Sequence, residues 1–325
     1  MKYSYGGQAL IEGVMMNGRE NTAIAVRKAD GTISVRVEKL NRWGDRYKFL
    51  KWPLVRGSVS LIESMIIGFK ALTYSANESA EYEEEELSTK DVILSVAIAL
   101  VLGIGLFFVL PVLLAHLLTP LVSSSFGQNL IEGLIRVAVF LIYVAAISNM
   151  KEIARVFQYH GAEHKTIHAY EHDRELTPKN CQEYPTLHPR CGTSFLFIVM
   201  IISIILFSFL GVDNFAWRII SRVILLPVVA GVSYEFLKFS GRHIENPIVH
   251  ALAYPGLMLQ KLTTKQPDDE MLEVAIVALQ KVREIEESVP FKPLTSPVVM
   301  WQEDGAKNNA DGEKKIPAEE IKEEQ

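Results

Sequence analysis

The sequence predicts a mainly α-helical, polytopic membrane protein with about four transmembrane helices, a small N-terminal β-hairpin element and a C-terminal cytoplasmic helix. Three observations predict it. Of 325 residues, 49% are hydrophobic, and they gather in four blocks separated by polar sequence. Lys and Arg are unevenly spread over the segments between those blocks. Valine, isoleucine and threonine cluster on both sides of an Asp30-Gly31 turn near the N-terminus. The net charge of −5 leaves no basic footprint, so nucleic acid is not an expected partner. The start of the chain lacks the charged and apolar pattern of a signal peptide.

The N-terminal segment Gly6–Gly18 carries four glycines in thirteen residues. That spacing suits tight turns or close backbone approach to a ligand, and it matches neither the dinucleotide fingerprint nor the phosphate-binding loop. Thr22–Arg27 and Thr32–Lys39 alternate partly around Asp30-Gly31 and predict a hairpin. Trp52-Pro53 breaks the chain. Leu61, Ile62, Met65, Ile66, Phe69 and Leu72 then recur at helical spacing, with Glu63 and Lys70 among them, which predicts an amphipathic helix on the membrane surface. The acidic run Glu83–Glu86 reads as a solvated linker.

Val92–Leu118 is long enough to cross a bilayer, which takes about 20 apolar residues, and Pro111 is placed to kink it. The second block, Leu134–Met150, opens with Glu132 and Arg136, one turn apart and able to pair. The third, Ser194–Val212, carries no charge. The fourth, Ile219–Leu237, contains Pro227. Thr119–Asn129 and Gly211–Trp217 hold no Lys or Arg, whereas Lys151–Gly192 holds six. The positive-inside rule therefore puts both termini and the third of these segments in the cytoplasm. A cytoplasmic setting argues against a structural disulfide between Cys181 and Cys191. Asn246-Pro247 ends the membrane domain, Pro267-Asp268-Asp269-Glu270 is a helix start, and Met271–Glu286 is a helical pattern. The chain thus divides into a cytoplasmic N-terminal module (residues 1–90), a four-span domain (91–245) containing a His/Glu-rich loop (151–192), a C-terminal helical segment (246–289) and a disordered charged tail (290–325).

The chemistry concentrates in residues 160–172. The pattern H-x-x-E-H occurs twice there, as His160/Glu163/His164 and His168/Glu171/His172, and uses half of the eight histidines. Histidines at i, i+4, i+8 and i+12 form a stripe that drifts by about 40° per step. One metal can take two neighbours of such a stripe and not all four. A single H-x-x-E-H is the inverted zinc-peptidase signature, two His on zinc and the Glu handling the proton. Two arrangements stay open. In one, His160 and His164 bind a divalent metal, zinc by motif, with Glu163 as the catalytic base and a third ligand from elsewhere, since catalytic zinc takes three protein ligands. In the other, both motif copies, including His168, His172 and Glu171, build a two-metal site. His188 and Cys191, in His188-Pro189-Arg190-Cys191, are the leading additional ligands, and Glu235 is a further one.

The segments Gly6–Met16, His160–Lys165 and His188–Ser194, in this order, make the chain similar to the YqhQ-like family of bacterial multi-pass membrane proteins. The resemblance covers about residues 1–290. It implies location in the bacterial cytoplasmic membrane, and it implies a metal-dependent enzyme whose functional residues fall on His160, Glu163, His164, His188 and Cys191. It names no substrate. The expected function is a membrane-embedded hydrolase acting at the cytoplasmic face on a membrane protein or a lipid-linked molecule. The alternative is a scaffold or membrane-protein biogenesis factor with a structural metal. A metal transporter fits less well, because the spans carry no His or Asp at their centres.

Overall fold

The computed structural model describes residues 3–80, 89–122, 124–210 and 215–301. Within them the chain is mainly helical, with a small sheet built largely from its N-terminal residues. The acidic run Glu83–Glu86 and the end of the charged tail lie outside the described residues.

The sheet has five strands in the order β1 (Gly6–Leu10), β2 (Gly13–Asn17), β3 (Asn21–Arg27), β4 (Ile33–Lys39), β5 (Val298–Trp301). The first three pairings are antiparallel and β4–β5 is parallel. The β3–β4 hairpin turns at Asp30-Gly31 as expected. Gly31 takes a positive φ of 86°, and Asp30 Oδ1 accepts from Thr32 N–H at 2.8 Å. The glycine-rich segment, read from sequence as turns or close approaches, is itself a hairpin, β1–β2, closed by Ile11-Glu12. The start of the expected disordered tail is also corrected. Phe291 and Leu294 pack on the core, and β5 extends the sheet, with Ile33 N–H donating to Pro297 O at 2.9 Å. Those apolar residues bury surface that a purely polar tail does not have.

Two layers cover the sheet. On one face lie α6 (Lys151–Glu171) and α12 (Asp269–Glu287), packed on Val14, Met16, Ala23, Ala25, Ile33 and Val35. On the other lies α2 (Val55–Glu78), which covers Leu10, Met15, Ile24 and Val26. The N-terminal module, the His-bearing helix and the C-terminal helix therefore share one core rather than forming separate segments. Every residue from Met271 to Val282 is buried, because α12 packs at once on β2, β3, α6 and the short helix that follows α6. Its polar positions are partnered: Glu273 pairs with Arg27 at 3.3 Å, and Lys281 lies 3.9 Å from the centre of the Phe291 ring.

The apolar helices form the second part. Ile93–Leu117 and Ser125–Ile147 are long and apolar enough to cross a membrane. The first spans α3 (Thr89–Ile104) and α4 (Leu110–Leu117), joined by a π-helical turn, Gly105–Val109, just before Pro111. Pro111 has no N–H to give Phe107 O, and that carbonyl accepts from Arg136 Nε at 3.1 Å instead. The second is α5 (Ser125–Ile147). The third block is a shorter helix, α8 (Gly192–Ser208), roughly 25 Å long. The fourth block is not one helix. It divides at Leu225, before Pro227, into α9 (Phe215–Ile224) and α10 (Leu226–Arg242). A further helix, α11 (Pro247–Thr263), follows, and α8 packs against α5, α10 and α11. Two short helices, α1 (Trp43–Arg46) and α7 (Pro178–Gln182), lie in the connections before α2 and after α6. The expected Glu132–Arg136 pair is present at 2.8 Å and buried. Arg222 joins it from α9, donating to Asn129 Oδ1 at 2.5 Å. Sequence reading placed Arg222 only at a span start.

Candidate metal centre

Helix α6 carries the site because short contacts fix its register. A Cβ on Gly161 would collide with Lys265 O, so only glycine lets the segment after α11 cross the helix there. Lys265 N–H donates to Phe157 O at 2.8 Å at the same crossing. Lys165 is buried and donates to Gln182 O and Tyr184 O, which ties the 182–184 turn to the helix. On the sheet side Gly7 stands against Glu163. A Cβ on Gly7 would lie 3.0 Å from the Glu163 side chain, and the Gly7 N–H favours the charged form of that carboxylate.

The histidine stripe divides into two groups. The first brings together His160, His164 and Cys191, whose ligand atoms all lie within 4.8 Å of one another. His160 Nδ1 sits 2.8 Å from Thr263 O, and His164 Nδ1 bonds Thr186 O. A carbonyl only accepts, so both Nδ1 atoms carry the proton and both Nε2 atoms present a lone pair. His160 Nε2 lies 3.2 Å from Cys191 Sγ. His164 Nε2 is buried with no hydrogen-bond partner among the described residues. A buried, unpaired imidazole nitrogen facing a thiol and a second imidazole lone pair is the donor set a divalent metal takes. Backbone carbonyls holding the far nitrogens are the usual outer support of such ligands. Burial keeps the His164 imidazole neutral, as a ligand requires. By these tests the three residues fit a metal.

The second group holds His168, Glu171 and His188. Each of its side chains already has a protein partner. His188 Nε2 lies 3.3 Å from Glu171 Oε2, Arg190 pairs with Glu171 Oε1, and His168 Nε2 donates to Leu187 O at 2.9 Å. His188 Nδ1 accepts from Arg190 N–H at 3.3 Å.

The other expected residues lie apart from these ligand sets or beside them. His172 lies at the C-terminal end of α6, bonds His168 O of its own helix and stacks near Tyr184. Glu235 pairs with Arg56, between α10 and α2. Cys181 is fully buried in the core beside Thr166, and burial pushes its thiol up to about 12. Glu163 adjoins the first group and is buried. Burial raises its pKa, against the pull of His160, His188 and the Gly7 N–H. Sequence reading missed Gln260. This residue is fully buried, accepts from His188 N–H at 2.8 Å and donates to His188 O and Ser194 Oγ at 2.9 Å. It thereby pins the loop that carries Cys191. No motif signals it: one glutamine in an apolar helix is the whole trace.

A cavity of about 560 Å³ opens beside the first group, lined by β1, α2, α6 and the loop 188–193. His160, Glu163, His164 and Cys191 are among the residues of its wall.

Comparison with known proteins agrees with the motifs. Residues 52–285 match the family described as a protein of unknown function, DUF1385. An uncharacterized protein of Bacillus subtilis (strain 168), YqhQ, is 37% identical over 297 residues, covering 87% of this chain and 93% of its own. No solved structure matches. A family match over most of the chain and this degree of identity together assign the chain to the DUF1385 family, the YqhQ-like proteins.

Proposed function

We propose that the protein is a metal-dependent hydrolase working at the cytoplasmic face of the bacterial membrane, with His160, His164 and Cys191 as ligands and Glu163 as the proton-handling group. The observation that carries this reading is His164 Nε2, buried, unpaired and converging with two other donor atoms at the wall of a cavity that also holds a buried carboxylate. When bound, a divalent ion, zinc by the donor set, would supply Lewis-acid polarisation of the scissile group. The chain's own residues do the rest. Burial raises the pKa of Glu163, which favours its role of taking a proton and returning it to a leaving group. Gly7, with no side chain, lets β1 pass close beside that carboxylate. The loop pinned by Gln260 sets Cys191 opposite α6.

In this reading the apolar helices cross the bilayer four times, the last crossing being the broken pair α9–α10. Both termini lie in the cytoplasm. The exposed strip Ile62, Met65, Ile66 and Phe69 on α2 rests on the lipid surface. The large apolar side chains of Ile93–Leu117 that the protein leaves uncovered support lipid contact.

One observation favours a second reading, a scaffold with a structural metal. The ligand trio joins α6 to the N-terminus of α8, so a metal there would also clamp the two parts of the fold. The test is Glu163→Gln in purified, metal-loaded protein. The hydrolase reading expects unchanged metal content and hydrolytic activity down by about 100-fold or more. A variant that keeps both metal and activity ends the catalytic assignment. If the protein hydrolyses nothing and Cys191→Ser lowers its melting temperature, the scaffold reading stands instead.

A further inference from the structure

β1 is the edge strand of the sheet, and hydrogen-bond phase decides what its free side offers. Gly18 N–H donates to Asn21 O, and Arg27 N–H donates to Glu12 O. These two bonds set the phase of β2 against β3: Val14 and Met16 point their backbone groups at β3, so Gly13, Met15 and Asn17 point theirs at β1. Their partners Leu10, Gln8 and Gly6 are therefore bonded inward. Gly7 and Ala9 are left with N–H and C=O directed away from the sheet.

That free edge faces the cavity. The cavity lies between α2 and α6, and both Gly7 and Ala9 line it. One outward group, the Gly7 N–H, lies beside the Glu163 side chain. The Gly7 carbonyl and both Ala9 groups have no hydrogen-bond partner among the described residues. Ala9 lies roughly 7 Å along the strand from Gly7, Gly7 adjoins the Glu163 side chain, and His160 and His164 line the same cavity.

We propose that β1 docks its substrate as an added strand: the substrate is an extended polypeptide segment, bonded through its backbone to Ala9 and the Gly7 carbonyl, with the peptide bond opposite Gly7 delivered to Glu163. The occupant is a single segment rather than a second copy of this chain, because α2 and α6 both pack against β1 and both wall the cavity that its free edge faces. Backbone recognition gives affinity without fixing sequence, and the cavity walls select side chains. Cleavage of the docked segment rests on the hydrolase reading, which strand docking deepens by naming the substrate class.

The test uses the full chain in detergent, carrying Glu163→Gln so that nothing is turned over. The probes are two fluorescein-labelled pools of random acetylated octapeptide amides, one ordinary and one N-methylated at alternate residues. The expected result, by fluorescence anisotropy, is saturable binding of the ordinary pool and binding weaker by about tenfold or more for the methylated pool. Adding Ala9→Pro, which removes an N–H that β2 does not use, is expected to weaken the ordinary pool to a similar degree while melting temperature stays unchanged. Equal binding of the two pools, or none of either, overturns the inference, and this comparison decides even where the proline variant fails to fold. Metal-free protein that still discriminates the pools supports strand docking and ends the hydrolase reading. Metal-loaded protein that hydrolyses other substrates and ignores both pools does the reverse.

Discussion

Two histidine groups sit eight residues apart on one helix, share one motif, and differ in what their neighbours leave undone. Around His168 the polar groups find protein partners: Glu171 is shared by His188 and Arg190, and Leu187 O takes the His168 proton. Around His164 the backbone takes the two Nδ1 protons and leaves the opposite nitrogens facing a thiol, one of them buried and unpaired. The first arrangement is complete without an ion. The second leaves a buried polar atom whose desolvation costs about 1–3 kcal/mol unless something binds it. Identical spacing in sequence thus yields partnered side chains in one turn and a buried, unpaired imidazole nitrogen in the next, and the neighbours decide which.

The sharpest way to break this contrast is to remove one histidine from each group. His164→Ala is expected to weaken zinc affinity by about 100-fold or more, and His168→Ala by less than about threefold. Competition with a chromophoric chelator measures both, and equal losses would erase the distinction. Next in size is Gly161→Ala. Its added methyl meets Lys265 O, so it is expected to cost about 2 kcal/mol, read from denaturant or thermal unfolding of the detergent-solubilised protein. A neutral result would mean that this crossing does not set the register of α6.

Acid sharpens the contrast from the other side. Burial holds the His168 imidazole neutral, its pKa lowered from the ordinary 6.5 to about 4. The unfolded chain takes up that proton near 6.5, and the folded chain only near 4. The unfolded state therefore binds more protons in this window, and stability present above pH 6.5 is lost as pH falls towards 4. His168→Gln is expected to flatten that slope. An unchanged slope in the variant would put the acid sensitivity elsewhere. The smallest effect belongs to Glu171→Gln. Its partner Arg190 is partly exposed, so the expected loss is within about 1 kcal/mol, with zinc affinity unchanged.

Some of this was legible in the sequence, and the failures have physical causes. Asp30-Gly31 announced its hairpin because a glycine at positive φ is the turn's own requirement. Gly6–Gly18 did not read as strands, since glycine is a poor strand former and β1 uses it for close approach: Gly7 makes room for Glu163. The helical spacing of Leu272, Ala275, Ile276, Leu279 and Val282 marked one face of α12. The burial of its other face depends on Arg27 and Phe291, distant partners that no local pattern contains. The fourth block was read as one span containing Pro227, and the helix instead divides two residues earlier, at Leu225, so that the proline falls in the first turn of α10. Of the site, both motif copies and the His188/Cys191 pair were visible as candidates. Their assortment was not: Cys191 goes with His160 and His164, while His188 goes with His168 and Glu171. That choice is made by the path of the loop 174–191 and by Gln260, which local spacing does not encode.

The most direct test is metal content by mass spectrometry of the purified, detergent-solubilised protein beside two double variants, His160→Ala/His164→Ala and His168→Ala/His188→Ala. If the first group is the metal centre, the parent protein carries about one equivalent of a divalent metal, kept in the second variant and lost in the first. No metal in the parent, or metal retained in the first variant and lost in the second, would contradict it.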